Sequence, residues 1–277
     1  MNPRQIQAPL PVKSNLSLMY PLSFLVTILL VAASITGFIF QSSVYPTDEL
    51  VQAFVPNDFV NLFIGLPILL GSMWMTYKKK LFGLLLWPGA LFFVFYVYIV
   101  YIFSMPLNWI FLAYLTLVIL SSYGTIGLIS CIDGDKLKQL LFNKVSEKIC
   151  GGVLAGLGIL FFARVAMALV SSISSGTDIS TTELALNIVD FLIAPAWFIG
   201  GILLWRTNPV GYSIGFGLLF QGCMLFIGLI IALFFQPYLT GAPLPLVDIL
   251  VVFVMGFVCF IPFVLFLRGL LSLSDNQ

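Results

Sequence analysis

Two ionised side chains stand where a membrane-crossing chain rarely carries them. Arg164 interrupts the apolar run Leu160-Phe-Phe-Ala-Arg164-Val-Ala-Met167, and Asp190 closes the series Glu183, Asn187, Asp190, spaced by four and three. That spacing puts all three on one helical stripe, which Ala194, Trp197 and Gly201 continue. A guanidinium is permanently charged and presents a planar fork of donors suited to carboxylates and phosphates. An aspartate beside it acts as counter-ion or as a proton acceptor that releases the fork. Asp58 and Asn61 form a second, smaller acid–amide pair earlier in the chain. The sequence has no histidine, so imidazole metal sites and histidine-based triads are excluded. No phosphate-cradling glycine loop, dinucleotide fingerprint or zinc motif is present, and neither a cofactor nor a metal is expected.

The elements that must position these groups follow from composition. Of 277 residues, 61% are hydrophobic and only 8% charged, against roughly 25% charged in a soluble chain. Mean hydropathy is +1.12. A net charge of +1 gives no attraction to nucleic acid. A hydrocarbon core ~30 Å thick needs about 20 apolar residues per helix. Eight windows qualify: Tyr20–Phe40, Phe59–Tyr77, Leu81–Phe103, Trp109–Ile129, Ile149–Ser171, Leu184–Trp205, Gly211–Phe235 and Leu246–Leu267. Their continuous apolar runs favour helices over barrel strands. The expected fold is an all-α, polytopic transmembrane helical bundle of eight spans, with the lipid bilayer as its partner.

Charge placement orients the bundle. Arg4, Lys13, Lys78, Lys79, Lys80, Lys136, Lys138, Lys144, Lys148, Arg206 and Arg268 all fall on one side, while the other carries Asp48, Glu49, Asp58, Asp178 and Glu183, with Asp248 just inside the eighth span. The positive-inside rule makes the basic side cytoplasmic and places both termini there, in a multi-pass protein of the cell membrane. The first apolar run is about 21 residues, longer than a signal h-region, so it reads as a retained helix. Cys131 and Cys150 lie at cytoplasmic ends and Cys223 and Cys259 near mid-membrane, which suits small apolar packing rather than a disulfide framework.

Sliding the chain by 128 residues pairs Phe63 with Phe191, Pro67 with Pro195, Lys78 with Arg206, Gly83 with Gly211 and Gly89 with Gly217. The same shift superposes the spans as two sets of four, predicting parallel repeats over 1–131 and 149–277 joined by a cytoplasmic linker, 132–148. Leu137, Leu140, Leu141 and Val145 alternate with lysines in that linker, an amphipathic pattern. On the opposite side, Thr47 begins a short interfacial segment that Pro56 and Asn57 are expected to stop.

Arg164 and Asp190 lie at matching depth on consecutive antiparallel spans, so a salt bridge facing the bundle interior is expected. Either charge alone costs about 2.5–3.5 kcal/mol at mid-helix. Pro195 should kink the sixth helix below Asp190, as Pro67 should kink the second below Asp58 and Asn61. In the aromatic third helix, Tyr101 suits the outer interfacial belt, whereas Tyr96 and Tyr98 need hydroxyl partners, for which Tyr114, Asn108 and Gln221 are candidates. Trp74, Trp87, Trp109 and Trp205 read as interfacial anchors, and Gly152-x-x-x-Gly156 as a close-packing motif.

The segment Asp190-Phe-Leu-Ile-Ala-Pro195, then Trp205-Arg206 and Asn208-Pro-Val-Gly-Tyr212, has a counterpart in Asn57-Asp58-Phe-Val-Asn61-Leu with Pro67, Trp74 and Gly83-Leu-Leu-Leu-Trp87-Pro-Gly89. Together with the Tyr-rich third helix and Asn108, these resemble a family of uncharacterised multi-span integral membrane proteins from bacteria and archaea. The resemblance covers about Tyr20 to Phe220. It implies a prokaryotic cell-membrane location and the eight-span arrangement, and it implies no activity.

Two function classes follow from the residues. One is small-solute transport through an outward-facing polar cavity formed by Arg164, Asp190, Asn187, Glu183, Asp58 and Asn61, with a small polar solute as partner. The other is a non-catalytic membrane subunit, sensor or scaffold in which the Arg164–Asp190 pair is structural. An enzyme acting on lipids has the least support, since no nucleophile–base pair is visible.

Overall fold

The structure is a computed structural model describing residues 10–176 and 178–274; Arg4 lies outside them. Among the described residues, eight helices are long and apolar enough to cross a membrane. They are Met19–Ile39, Asp48–Tyr77, Leu81–Ser104, Phe111–Cys131, Glu147–Ser175, Thr181–Trp205, Pro209–Thr240 and Leu246–Ser274, numbered here as the first to eighth spans. The chain is an all-α integral membrane protein. The lysine-bearing loops share one side, the basic face, and the loops with Asp48, Glu49, Asp178 and Glu183 share the other, the acidic face.

Six of the spans run longer than their apolar windows, while the first and fourth keep the expected 21 residues. The largest correction is in the second span. Thr47 does cap a helix, its Oγ1 accepting from Leu50 N at 3.3 Å, but that helix is no separate interfacial segment. It passes through Pro56 into the membrane. Pro56 forfeits only the bond that Gln52 would have accepted, and Asn57 Nδ2 closes on Ala53 O at 2.9 Å. Just before Pro67 the backbone widens into a π-helical turn, Asn61–Gly65, in which Leu66 N bonds Asn61 O.

The third span sits at the centre. Buried residues make up 83% of its most apolar window, against 22–44% in the other seven. It packs on the second, fourth, sixth and seventh spans, while the seventh packs on the second, third, sixth and eighth. The third and seventh cross at Gly89 and Gly217, the positions equated by the 128-residue shift. A methyl group on Gly89 would lie 2.5 Å from Gly217 Cα, so the two backbones touch directly.

The fifth and sixth spans form the closest pair of neighbours. Their closest approach does not use Gly152 and Gly156: Gly156 has open space, and Gly152 only an ordinary van der Waals contact with the Trp205 ring. It uses Gly151, against Gly201 and Trp205, and Gly158, whose added Cβ would lie 2.7 Å from Phe198 N and 2.8 Å from Ala194 O. Seven residues bring a helix back to almost the same face, so these two glycines make one seam. The four anchor assignments divide similarly. Trp74, Trp109 and Trp205 are exposed, but Trp87 is fully buried and donates to Ser23 Oγ at 3.0 Å.

On the basic face a helix, Gly134–Leu141, turns Leu137 and Leu141 inward against the ends of the bundle. Asp133 caps it. Accepting the backbone N–H of Lys136, with the Lys136 ammonium nearby, holds the Asp133 carboxyl below the usual carboxylate range. The segment before the first span joins this face, Lys13 N bonding Cys131 O and Asp133 N bonding Pro11 O, each at 2.8 Å. All four cysteines are free and buried.

Candidate functional site

The glycine seam sets the fifth and sixth spans close enough for their charges to meet. Arg164 Nη2 lies 2.5 Å from Asp190 Oδ2 and 3.4 Å from Asn187 Oδ1. From the third span, Tyr96 donates its hydroxyl to Asp190 Oδ1 at 2.8 Å. One carboxylate thus ties three spans together. The Asp190 side chain is 4% exposed and that of Arg164 is 47% exposed. The guanidinium carbon stands 5.7 Å from the Phe161 ring centroid, a cation–π contact. The Arg164 Nε and Nη1 groups donate to no described protein atom, and Asn187 Nδ2 is buried without a partner.

Beside the pair lies a cavity of about 510 Å³, bounded by the second, third, fifth, sixth, seventh and eighth spans. Its polar lining is Arg164, Asp190, Tyr96, Thr182 and Asn57, and the rest is aliphatic, aromatic, methionine or glycine. The volume falls within the roughly 300–1,000 Å³ of small-molecule sites.

The six residues singled out from the sequence do not converge here. Arg164 and Asp190 line the cavity, and Asn187 supports Arg164 from behind. Glu183 is exposed in the first turn of the sixth span, where Ser180 Oγ caps its backbone N–H at 3.2 Å; its neighbour Thr182 faces the cavity instead. The 4–3 spacing kept the stripe but not its outer end, where capping turns the chain outward.

Asp58 and Asn61 belong to a different cluster. Tyr45 donates to Asp58 Oδ2, and Tyr101 donates to Asp58 Oδ1 at 3.0 Å. Tyr98 pairs with Ser34 Oγ at 3.0 Å, and the rings of Tyr98, Tyr101 and Tyr114 pack with centroids 5.0–5.7 Å apart. Asn61 is fully buried next to Tyr98 without completing a hydrogen bond. Gly37 lies so close to the Asp58 carboxylate and the Tyr45 hydroxyl that any side chain there would collide with both. Among the described residues the ion pairs are Arg164–Asp190 and Lys136–Asp133, so Asp58 has hydroxyl partners only.

The tyrosine partners differ from those expected. Tyr101 is buried at Asp58 rather than placed in a belt, Tyr96 meets Asp190, and Gln221 Oε1 is taken by Trp197 Nε1 at 2.7 Å. The available signal was that two acids in neighbouring membrane spans need donors, and the third span holds phenols at several heights. Which phenol meets which acid depends on helix rotation, and an apolar helix encodes rotation weakly.

Comparison with protein-family models, curated proteins and solved structures finds no match for this chain. The resemblance read from its motifs therefore rests on those motifs alone.

Proposed function

We propose that this membrane protein binds, and carries across the bilayer, a small solute bearing an anionic group, with Arg164 as its anchor and Asp190 as the resident counter-ion. The observation that carries this reading is a half-exposed arginine at a cavity wall whose Nη2 holds Asp190 while Nε and Nη1 stay uncommitted. An anion competes with Asp190 for the fork. Protonation of Asp190 weakens its hold, and Tyr96 and Asn187 keep both groups in place meanwhile. The reading includes cytoplasmic termini in a cell membrane, supported by the basic loops. It also includes an ancestral duplication, supported by the meeting of Gly89 with Gly217 at the position a two-fold axis between parallel repeats requires.

Uptake into proteoliposomes, measured with a panel of labelled small carboxylates and phosphate, tests it. Arg164→Gln is expected to weaken uptake at least about tenfold, the scale of one lost charge-assisted contact, while Asp190→Asn stays folded and loses uptake. A second reading, favoured by the burial of Asp190 and its bond to Tyr96, makes the pair a three-helix interlock. It is the correct one if Arg164→Ala and Asp190→Asn each abolish accumulation while Arg164→Met with Asp190→Leu restores it.

A further inference from the structure

The cavity is open on a flank that water does not reach. Leu160, Leu229, Met255 and Val258 line it, yet they are 51%, 48%, 47% and 52% exposed. A residue that both lines a cavity and shows half its surface outside stands at the opening. These four lie within their spans, not at the ends: Leu160 is 13 residues from Glu147, and Val258 is 12 from Leu246. Exposure at such positions is exposure to acyl chains, so the opening between the fifth, seventh and eighth spans faces the bilayer.

Polarity inside the cavity is graded. Thr182 is the second residue of the sixth span, at its acidic-face end, and Arg164 lies 11 residues from the same end of the fifth. Leu157 is seven residues, about 10 Å, farther toward the basic face than Arg164 on the same helix. Phe93 and Met224 share that inner, apolar part. The charged pair therefore stands three residues on the acidic-face side of mid-span, with hydrocarbon lining beyond it toward the basic face, the order of head and chain in an amphiphile that enters from the leaflet on the acidic-face side.

We infer that the ligand is a single-chain acidic amphiphile of that leaflet, entering sideways past Leu160 and Val258, seating its anionic head on Arg164 and laying its acyl chain along Leu157, Phe93 and Met224. This inference rests on the reading of Arg164 as an anion anchor and narrows its ligand from a water-borne solute to a bilayer-borne one. Charge complementarity selects the acid, because Arg164 Nε and Nη1 are cationic donors without described partners at the cavity wall. The apolar lining selects the chain.

The test uses the full-length protein in nanodiscs and a photoactivatable C16 fatty acid with its diazirine near the chain end. Labelling should fall on peptides containing Leu157, Met224 or Val258, be competed by unlabelled C16 acid, and resist competition by C16 alcohol. Arg164→Gln should lower labelling at least about tenfold. Val258→Trp, which narrows the opening, should slow labelling by a similar factor. Because labelling of the unaltered chain maps the site, the test survives failure of either variant to fold. Labelling elsewhere, or equal competition by the alcohol, overturns the inference. If butyrate or phosphate binds in an Arg164-dependent manner and the C16 acid does not, the anchor stands and the lateral amphiphile falls. If no anion depends on Arg164, both fall.

Discussion

Asp58 and Asp190 are the same residue type, each buried in a span that carries a proline farther along, Pro67 and Pro195, and each accepting a phenol from the third span. Their surroundings differ in two respects. Asp190 faces a permanent cation and a cavity, whereas Asp58 is sealed by Tyr45, Tyr101 and Gly37 with no cation in reach among the described residues. A carboxylate walled in by hydroxyls has every contact committed to the fold. One that shares a half-exposed arginine with open space has contacts that a ligand can replace. Burial alone therefore does not mark a functional acid in a membrane protein. The distinguishing feature is an adjacent charge with unspent donors.

The contrast depends first on the joint between the third and seventh spans. Gly89→Val would push a side chain into the Gly217 backbone and is expected to have the largest effect, more than about 3 kcal/mol from overpacking where neither backbone can yield. Loss of the monodisperse species in size-exclusion chromatography and a fall in unfolding temperature would read it. A well-folded Gly89→Val protein would mean that the third and seventh spans do not meet in this way.

Next, Asp58→Leu and Asp190→Leu should separate stability from binding. Asp58→Leu strands the Tyr45 and Tyr101 hydroxyls in a sealed site, about 1–3 kcal/mol for each unsatisfied group. Asp190→Leu leaves the Arg164 charge without its counter-ion, about 2.5–3.5 kcal/mol at mid-helix, so both variants lower the unfolding temperature. Anion binding should separate them, altered by Asp190→Leu and untouched by Asp58→Leu. If both variants change stability and binding in parallel, the two acids are equivalent and the contrast collapses.

The smallest effect sharpens the comparison at the tyrosines. Tyr96→Phe and Tyr101→Phe each remove one hydrogen bond to a carboxylate, about 1–3 kcal/mol by thermal unfolding. Only Tyr96→Phe should shift the affinity for an anion, because only Tyr96 bonds a charged residue of the cavity wall. An equal shift from Tyr101→Phe would show that the first cluster communicates with the cavity.

The Arg164–Asp190 contact was legible in the sequence because two strong constraints coincided. Hydropathy fixed the depth of each residue, and an unpaired charge in hydrocarbon is costly, so opposite charges on adjoining spans had one economical arrangement. The assignment of Asp58 to the same cavity rested on the repeat-equivalent prolines Pro67 and Pro195, which say nothing of helix rotation. Glu183 shared a stripe with Asn187 and Asp190, yet it lies in the capped first turn, where the helix end and not its period sets the side chain's surroundings. The start of the second span was hidden for a related reason. Pro56-Asn57 reads locally as a stop, while in the bundle Asn57 satisfies a carbonyl beside it and Phe54, Val55 and Pro56 are buried.

The sequence by itself determined what local quantities can carry: insertion in a membrane, eight helical spans, the collection of lysines on one face, and the pairing of its two intramembrane charges of opposite sign. Hydropathy sums and the 3.6-residue period need no knowledge of neighbours. Tertiary structure alone decided which way each helix turns: that Tyr101 serves Asp58 and Tyr96 serves Asp190, that Gly151 and Gly158 rather than Gly152 and Gly156 form the seam, and that the cavity opens toward lipid. In hydrocarbon, a helix apolar on every side has no solvent to orient it. Its rotation is set by close packing against neighbours and by the few polar groups that must find partners, and those exist only once the bundle has assembled.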